Sequence, residues 1–145
     1  MPTIRLYKQH RYDEYYHIRR QVFTVEQQID PSIELDEYDN PDRADVIHFA
    51  YWHSKQLIAS ARVILLADKE ILVGRIATLK EFRNKGYASQ LLRDIEVYFH
   101  NIGYEKVLIH SQLNAISFYE KNGYHPEGDP FIEADIEHQL VVKPI

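Results

Sequence analysis

The sequence predicts a mixed α/β domain: a central β-sheet flanked by helices. Three observations carry this. Alternating apolar segments fill the first half and connect mostly as hairpins. The segment 88–102 repeats its apolar residues at helical spacing. The elements run β-α-β-β-β-α-β-α-β-β, with no internal repeat, low-complexity tract or linker long enough to divide domains, so residues 1–145 read as a single domain.

Thr3 to Lys8 alternates and reads as a short strand. Asp13 to Thr24 reads as a helix with Tyr15, Ile18, Val22 and Phe23 near one face. Glu26 to Arg43 is a loop rich in acid and proline, carrying Asp30, Glu34, Asp36, Glu37, Asp39 and Asp42 with Pro31 and Pro41. Such long loops inside a compact domain are often functional or mobile. Asp45 to Trp52 and Leu57 to Leu65 form a hairpin through His53-Ser54-Lys55, with Leu57, Ala59, Ala61, Val63 and Leu65 sharing a face. Glu70 to Leu79 is the next strand, and Gly74 inside it suggests a bulge or a close backbone approach. The helix that follows places Ala88, Leu91, Leu92, Ile95, Tyr98, Phe99 and Ile102 on one side and ends at Gly103. Lys106 to His110 is a short buried strand, and Ala115 to Lys121 a short helix stopped at Asn122-Gly123. Two strands close the chain, around Tyr124 and from Glu137 to Val142.

Composition limits the function. The 145 residues carry a formal net charge of −5, a poor match for general nucleic-acid binding. There are no cysteines, which excludes disulfides, thiolate metal sites and a cysteine nucleophile, and is compatible with a cytoplasmic setting. Met1 to Tyr16 lacks an apolar signal-peptide core, and no apolar run approaches the roughly 20 residues that span a bilayer, so no membrane association is expected. Neither an H-E-x-x-H spacing nor a G-x-S-x-G elbow occurs, so neither a metal site nor a serine hydrolase is expected. The oligomeric state is not readable.

The most informative stretch is Arg83-Asn84-Lys85-Gly86-Tyr87-Ala88, between a strand and a strongly patterned helix. Gly86 removes a side chain where a ligand can approach the backbone, and free N–H groups at a helix start favour phosphate or pyrophosphate. From Arg75 to Lys85 the chain carries four basic residues and one acid, a positive island in an acidic protein. Neither a P-loop nor a G-x-G-x-x-G fingerprint is present.

Arg83–Ala88 resembles the R/Q-x-x-G-x-G/A acetyl-CoA motif of the GCN5-related N-acetyltransferases. Asn114-Ala115-Ile116-Ser117-Phe118-Tyr119-Glu120-Lys121-Asn122-Gly123-Tyr124 is similar to the family's later helix-and-turn motif. Arg20–Gln27 and Phe131–His138 resemble segments of a small bacterial branch, so the resemblance covers nearly the whole chain in the expected order. It implies the family's mixed central sheet, acetyl-CoA as co-substrate, and direct acetyl transfer to a primary amine in a ternary complex. By this resemblance the backbone of Ile76, Ala77 and Thr78 pairs with the pantetheine arm. Arg83, Asn84, Lys85, Gly86, Tyr87 and Ala88, with Ser89, hold the pyrophosphate. Asn114 bonds the cofactor near its arm, and Tyr119 protonates the departing thiolate.

His138, Glu26 or a water relay are the candidates for deprotonating the amine; histidine suits the task near neutrality. Against these roles stand plainer ones: helix packing for Tyr119 and a structural place for His138. The acidic loop reads either as solvated surface or as a selector for a cationic acceptor, and Arg75 as sheet support or a contact to an anionic one. Asp135 stands where the family pattern has Gly. The acceptor is expected to be a small molecule, with a protein amine as the other possibility. A non-catalytic acyl-CoA-binding or regulatory module is the rival class; fold alone does not separate the two.

Overall fold

The computed structural model describes residues 2–8, 10 and 12–145. Strands β1 (Thr3–Leu6), β2 (Val46–His53), β3 (Gln56–Leu65) and β4 (Glu70–Thr78) form an antiparallel meander. β5 (Lys106–Gln112) joins it in parallel, and β7 (Ile136–Pro144) and β6 (His125–Glu133) complete a seven-stranded sheet in the order β1-β2-β3-β4-β5-β7-β6. The β2–β3 hairpin turns on Ser54 and Lys55, both left-handed at φ 50° and 68°, which suits the twist of its strands.

β3 reads from sequence as one apolar face, but it is covered on both. Ala59, Ala61 and Val63 are buried, and so are Ser60 and Arg62 between them. The reason lies in the layers. Helix α3 (Tyr87–Asn101) packs on one face of the sheet, burying Leu91, Leu92, Ile95 and Phe99 against Phe49, Val63, Val73 and Val107. The other face takes helix α1 (Asp13–Arg19) and the turns that follow it, with Tyr15, Ile18, Val22 and Phe23 against Ala50, Leu57 and Ala77. Each fully buried large apolar side chain contributes about 1.5–3 kcal/mol. The expected α3 stripe holds at its centre. At its end Ile102 is exposed, because the helix stops in a turn in which Gly103 (φ 98°) bonds His100 and Tyr104 bonds Phe99. Glu96 is buried on the same helix, where it accepts from Tyr124 Oη at 2.7 Å and Lys143 Nζ at 2.8 Å.

The helix expected over 13–24 changes type midway. After Arg19 it widens into a π-helical stretch, Arg20–Glu26, in which Gln27 N–H bonds the Val22 carbonyl at 3.2 Å. Both spirals put Ile18, Val22 and Phe23 on one side, so the apolar pattern does not separate them. The acidic loop is more structured than its composition suggests. Helix α2 (Pro31–Glu34) starts at an Asp30 cap, and a 3₁₀ turn at Glu37–Asp39 carries a capping box from Asp36.

The feature that creates a site is the β4–β5 junction. These strands pair only from Glu70–Lys106 to Leu72–Leu108 and then diverge. β4 carries a bulge there, with Arg75 and Ile76 opposing Ala61 alone. The expected irregularity is present, but the left-handed residue is Arg75 at φ 50°, next to Gly74. A bulge adds local twist and turns a strand away from its neighbour. Meanwhile β5 stays paired to β7 on its other side as far as Gln112–His138. Among the described residues no helix is long and apolar enough to cross a membrane.

Candidate active site

The diverging strands leave a cleft of about 610 Å³. Ile76 of β4 and Ile109 of β5 line it, with Phe23 from the π-helical segment and Gln27 directly after it. Asn114 stands at the C-terminal end of β5, in the turn Leu113–Ala115. Helix α4 (Ile116–Lys121) brings Tyr119, and the β6–β7 hairpin brings Glu133 and His138. The β4 edge from Val73 to Thr78 has no β5 partner, so its backbone faces the gap. An extended chain laid in such a gap gains main-chain hydrogen bonds.

At the far end of β4 lies the turn into α3. Gly86 precedes the helix at φ 85°, and no side chain caps it. The first amides of α3 therefore have no helical partner, and the helix dipole adds partial positive charge there. Asn84 is also left-handed, at φ 62°, a conformation asparagine accepts more readily than most residues. The side chains around this turn divide their work. Arg83 turns back: its Nε donates to the Thr78 carbonyl at 2.9 Å, and its two terminal nitrogens donate to Glu26 at 2.8 and 2.7 Å. Lys85 lies over the Phe82 ring. Tyr87 packs on His53 and Tyr51, and Ser89 Oγ accepts from Asn122 Nδ2 at 3.3 Å.

The structure thus places Ile76, Asn114, Tyr119 and His138 around one cleft, and Gly86, Ala88 and Ser89 outside its lining, at the start of α3. It puts Ala77 elsewhere: this side chain is buried in the α1 core, leaving only its backbone on β4. Glu26 is not part of the cleft lining. Its Arg83 hydrogen bonds hold its carboxyl below the usual range, which makes it a weak proton acceptor.

Tyr119 is buried, and that burial pushes its phenol upward, so it keeps its proton across the neutral range. Among the described residues its hydroxyl has no hydrogen-bond partner. His138 is almost fully buried, stacked on Phe131 at 5.8 Å between ring centres. Its Nδ1 lies 2.7 Å from the Ile136 carbonyl, which only accepts, so Nδ1 carries the ring proton and Nε2 the lone pair of the neutral ring.

Several contacts of the site are not visible in sequence. Arg19, Arg62 and Arg75 meet the acids of the long loop. Arg19 pairs with Glu34 at 2.8 Å and Asp39 at 2.6 Å, Arg62 with Asp36 and Asp39, and Arg75 with Glu34 and Asp36. Desolvation works against ionised Asp39, but the Arg19 hydrogen bond and charge, the Asp36 N–H and the Arg62 charge together outweigh it and take the carboxyl down to about 2. Neither expectation for this loop describes it: Glu34, Asp36 and Asp39 are neither simply solvated nor free to select an acceptor, and Arg75 anchors the loop. Gln112 donates to Gln27 Oε1 at 2.8 Å across the cleft. Glu133 was hidden too, although one signal existed. The pair Ala134-Asp135 between alternating segments marks a two-residue turn, and that register sets Phe131 opposite His138.

A model of the acetyltransferase (GNAT) domain matches residues 16–143. The uncharacterized protein YyaT of Bacillus subtilis (strain 168) is 30% identical over 128 residues, covering 88% of this chain and 85% of that one. In fold, the crystal structure of Escherichia coli ElaA superposes with a TM-score of 0.79 at 23% identity, covering 99% of both chains. A GNAT family acetyltransferase from Elizabethkingia anophelis, solved with acetyl-CoA bound, gives 0.75 at 17% identity over 99% of this chain and 97% of that one.

Proposed function

Because this chain belongs to the GNAT acetyltransferase family and is an N-acetyltransferase that uses an acyl-CoA, we propose that it moves the acetyl group of acetyl-CoA directly to the primary amine of a small molecule. The observation that carries this is the β4–β5 gap itself. Tyr119 and His138 stand on its walls, and the strand that bounds it runs on toward an uncapped helix start. These residues fit the co-substrate: an unpaired strand edge for an amide-bearing arm, and free amides with Lys85 nearby for a pyrophosphate. Acetyl-CoA supplies the activated acyl group and a thiol leaving group.

On this reading the backbone of Ile76, Ala77 and Thr78 aligns the arm, and Asn114 bonds it from the other side. Residues 83–89 hold the pyrophosphate chiefly through backbone amides, since the Arg83 side chain is engaged by Glu26. His138 Nε2 takes one proton from the acceptor's ammonium, and the freed nitrogen lone pair forms the new N–C bond as the C–S bond breaks. Backbone N–H groups of β4 donate to the carbonyl oxygen as it gains charge. Tyr119 gives its proton to the sulfur and is restored by the second proton that the nitrogen loses on becoming an amide. His138 is preferred to Glu26 as base because it faces the cleft with a free lone pair, whereas Glu26 is held by Arg83. A cytoplasmic setting accords with the cysteine-free composition.

The test is thiol release from acetyl-CoA across amines, polyamines, amino acids, aminosugars and peptides. We expect turnover on at least one small amine, lowered about tenfold or more in His138→Ala with acetyl-CoA binding intact. CoA at 100 times its dissociation constant should stabilise the fold by about 2.7 kcal/mol. Tight binding without turnover on any acceptor would favour the binding module, and wild-type turnover in His138→Ala across the pH range removes His138 as base.

A further inference from the structure

The carboxylates near the cleft differ in availability. Glu34, Asp36 and Asp39 face Arg19, Arg62 and Arg75, three charges against three. Glu133 sits on the hairpin across the cleft, and the ion-pair partners recorded for it among the described residues are two histidines. His110 Nδ1 lies 3.0 Å from Oε1, and His138 Nε2 lies 3.7 Å from Oε2. The first is a hydrogen bond that His110 donates; the second is too long for one. Since the His138 ring proton is fixed on Nδ1 by the Ile136 carbonyl, neutral His138 turns a lone pair toward a carboxylate oxygen. Two acceptors therefore face each other, and neither supplies a proton to the other. The His110 hydrogen bond, opposed by burial, holds the Glu133 carboxyl below its usual range.

We infer that Glu133 Oε2 and His138 Nε2 together receive the acceptor's ammonium group, so that Glu133 selects an acceptor that enters as a cation. This rests on the amine-acetyltransferase reading above. An –NH₃⁺ group has three donors and can satisfy both facing atoms at once. Ile29, Ile33, Leu72 and Ile109 line the same cleft, so the cation is carried on an apolar body. The bound ammonium is held against the nitrogen that then takes its proton. Glu133 is thus a specificity residue and leaves the proton transfer to His138.

The experiment compares wild type with Glu133→Gln, which keeps an oxygen for His110 and loses the charge. The probes at pH 7 are 2-phenylethylamine, a cation with an apolar body, and hydroxylamine, which is neutral. In the variant we expect KM for 2-phenylethylamine to rise about tenfold or more, with kcat within about threefold and the hydroxylamine kcat/KM within about twofold. The melting temperature and its rise with CoA should match wild type. Calorimetric titration of 2-phenylethylamine into each CoA complex supplies a second readout. Binding lost in the variant, without turnover in either protein, supports the ammonium site and sinks the transfer reading. Wild-type turnover with an unchanged variant KM does the opposite. An equal loss on both probes, or no binding and no turnover of 2-phenylethylamine by wild type, overturns the assignment.

Discussion

His48 controls how this protein responds to acid, and His48→Gln measures it. The ring lies on β2 beneath α1, buried, with Tyr15 Oη 2.7 Å from its Nδ1. Desolvation takes its pKa down from 6.5 to about 4, the nearby Asp39 charge only partly offsetting this. The unfolded chain therefore binds more protons than the folded one between those values, and stability rises with pH across the window. It is fully present above about pH 6.5 and is lost as pH falls toward 4. A gap of about 2.5 units is worth about 3.4 kcal/mol in full, of which about 1.8 kcal/mol is lost between pH 7 and pH 5. That corresponds to roughly 4–7 °C in melting temperature for a chain of this length. Urea denaturation of both proteins at pH 7 and pH 5 is the assay. The glutamine variant starts less stable and loses about 1.8 kcal/mol less over the interval, because the other titrating groups cancel in the comparison. Parallel pH dependence in the two proteins would refute the argument. The result bears on function as well, because any rate measured in acid includes the loss of folded protein. A rate profile measured in His48→Gln separates proton transfer from acid unfolding.

Other expectations follow from individual contacts. Tyr119→Phe should lower kcat about 100-fold, with the melting temperature unchanged within about 2 °C, since the hydroxyl has no partner among the described residues whose loss would cost stability. Arg19→Met should cost about 3–5 kcal/mol in chemical denaturation, because Glu34 and Asp39 are left as buried carboxylates without their closest cation. Ala134→Asn with Asp135→Gly should raise the melting temperature by a few degrees. Both turn residues are left-handed, at φ 51° and 60°, and the replacements adopt that geometry at lower cost.

Some of the site was legible because its physics is local. Gly86 before a patterned helix announces free amides whatever packs around it, and the Leu91–Phe99 stripe needs only its own spacing to be read. Gly74 signalled a bulge, yet the strain settled on Arg75, because its side chain is held by the Glu34 carbonyl and carboxylate across the cleft. Arg83 and Glu26 both stood out as functional residues, but nothing in either segment says that they bind each other, 57 positions apart. The acids of the long loop showed the same limit. Their charge is evident in the sequence, while the three arginines that neutralise them come from α1, β3 and β4.

The sequence by itself determined the family, the order of elements, the helix-start cradle and the identity of Tyr119 and His138 as reactive candidates. The order of elements and the cradle are matters of residue type at short spacing, where backbone geometry decides what is near what; the family and the two reactive candidates came through the resemblance of whole motifs. Tertiary structure decided the rest. The β4–β5 divergence made a cleft, the π-helical segment brought Gln27 to it, and the β6–β7 register set Glu133 against His138. Charge and hydrogen-bond availability are sums over neighbours from distant parts of the chain. Which carboxylate is spent and which is free therefore exists only once the sheet has closed around them.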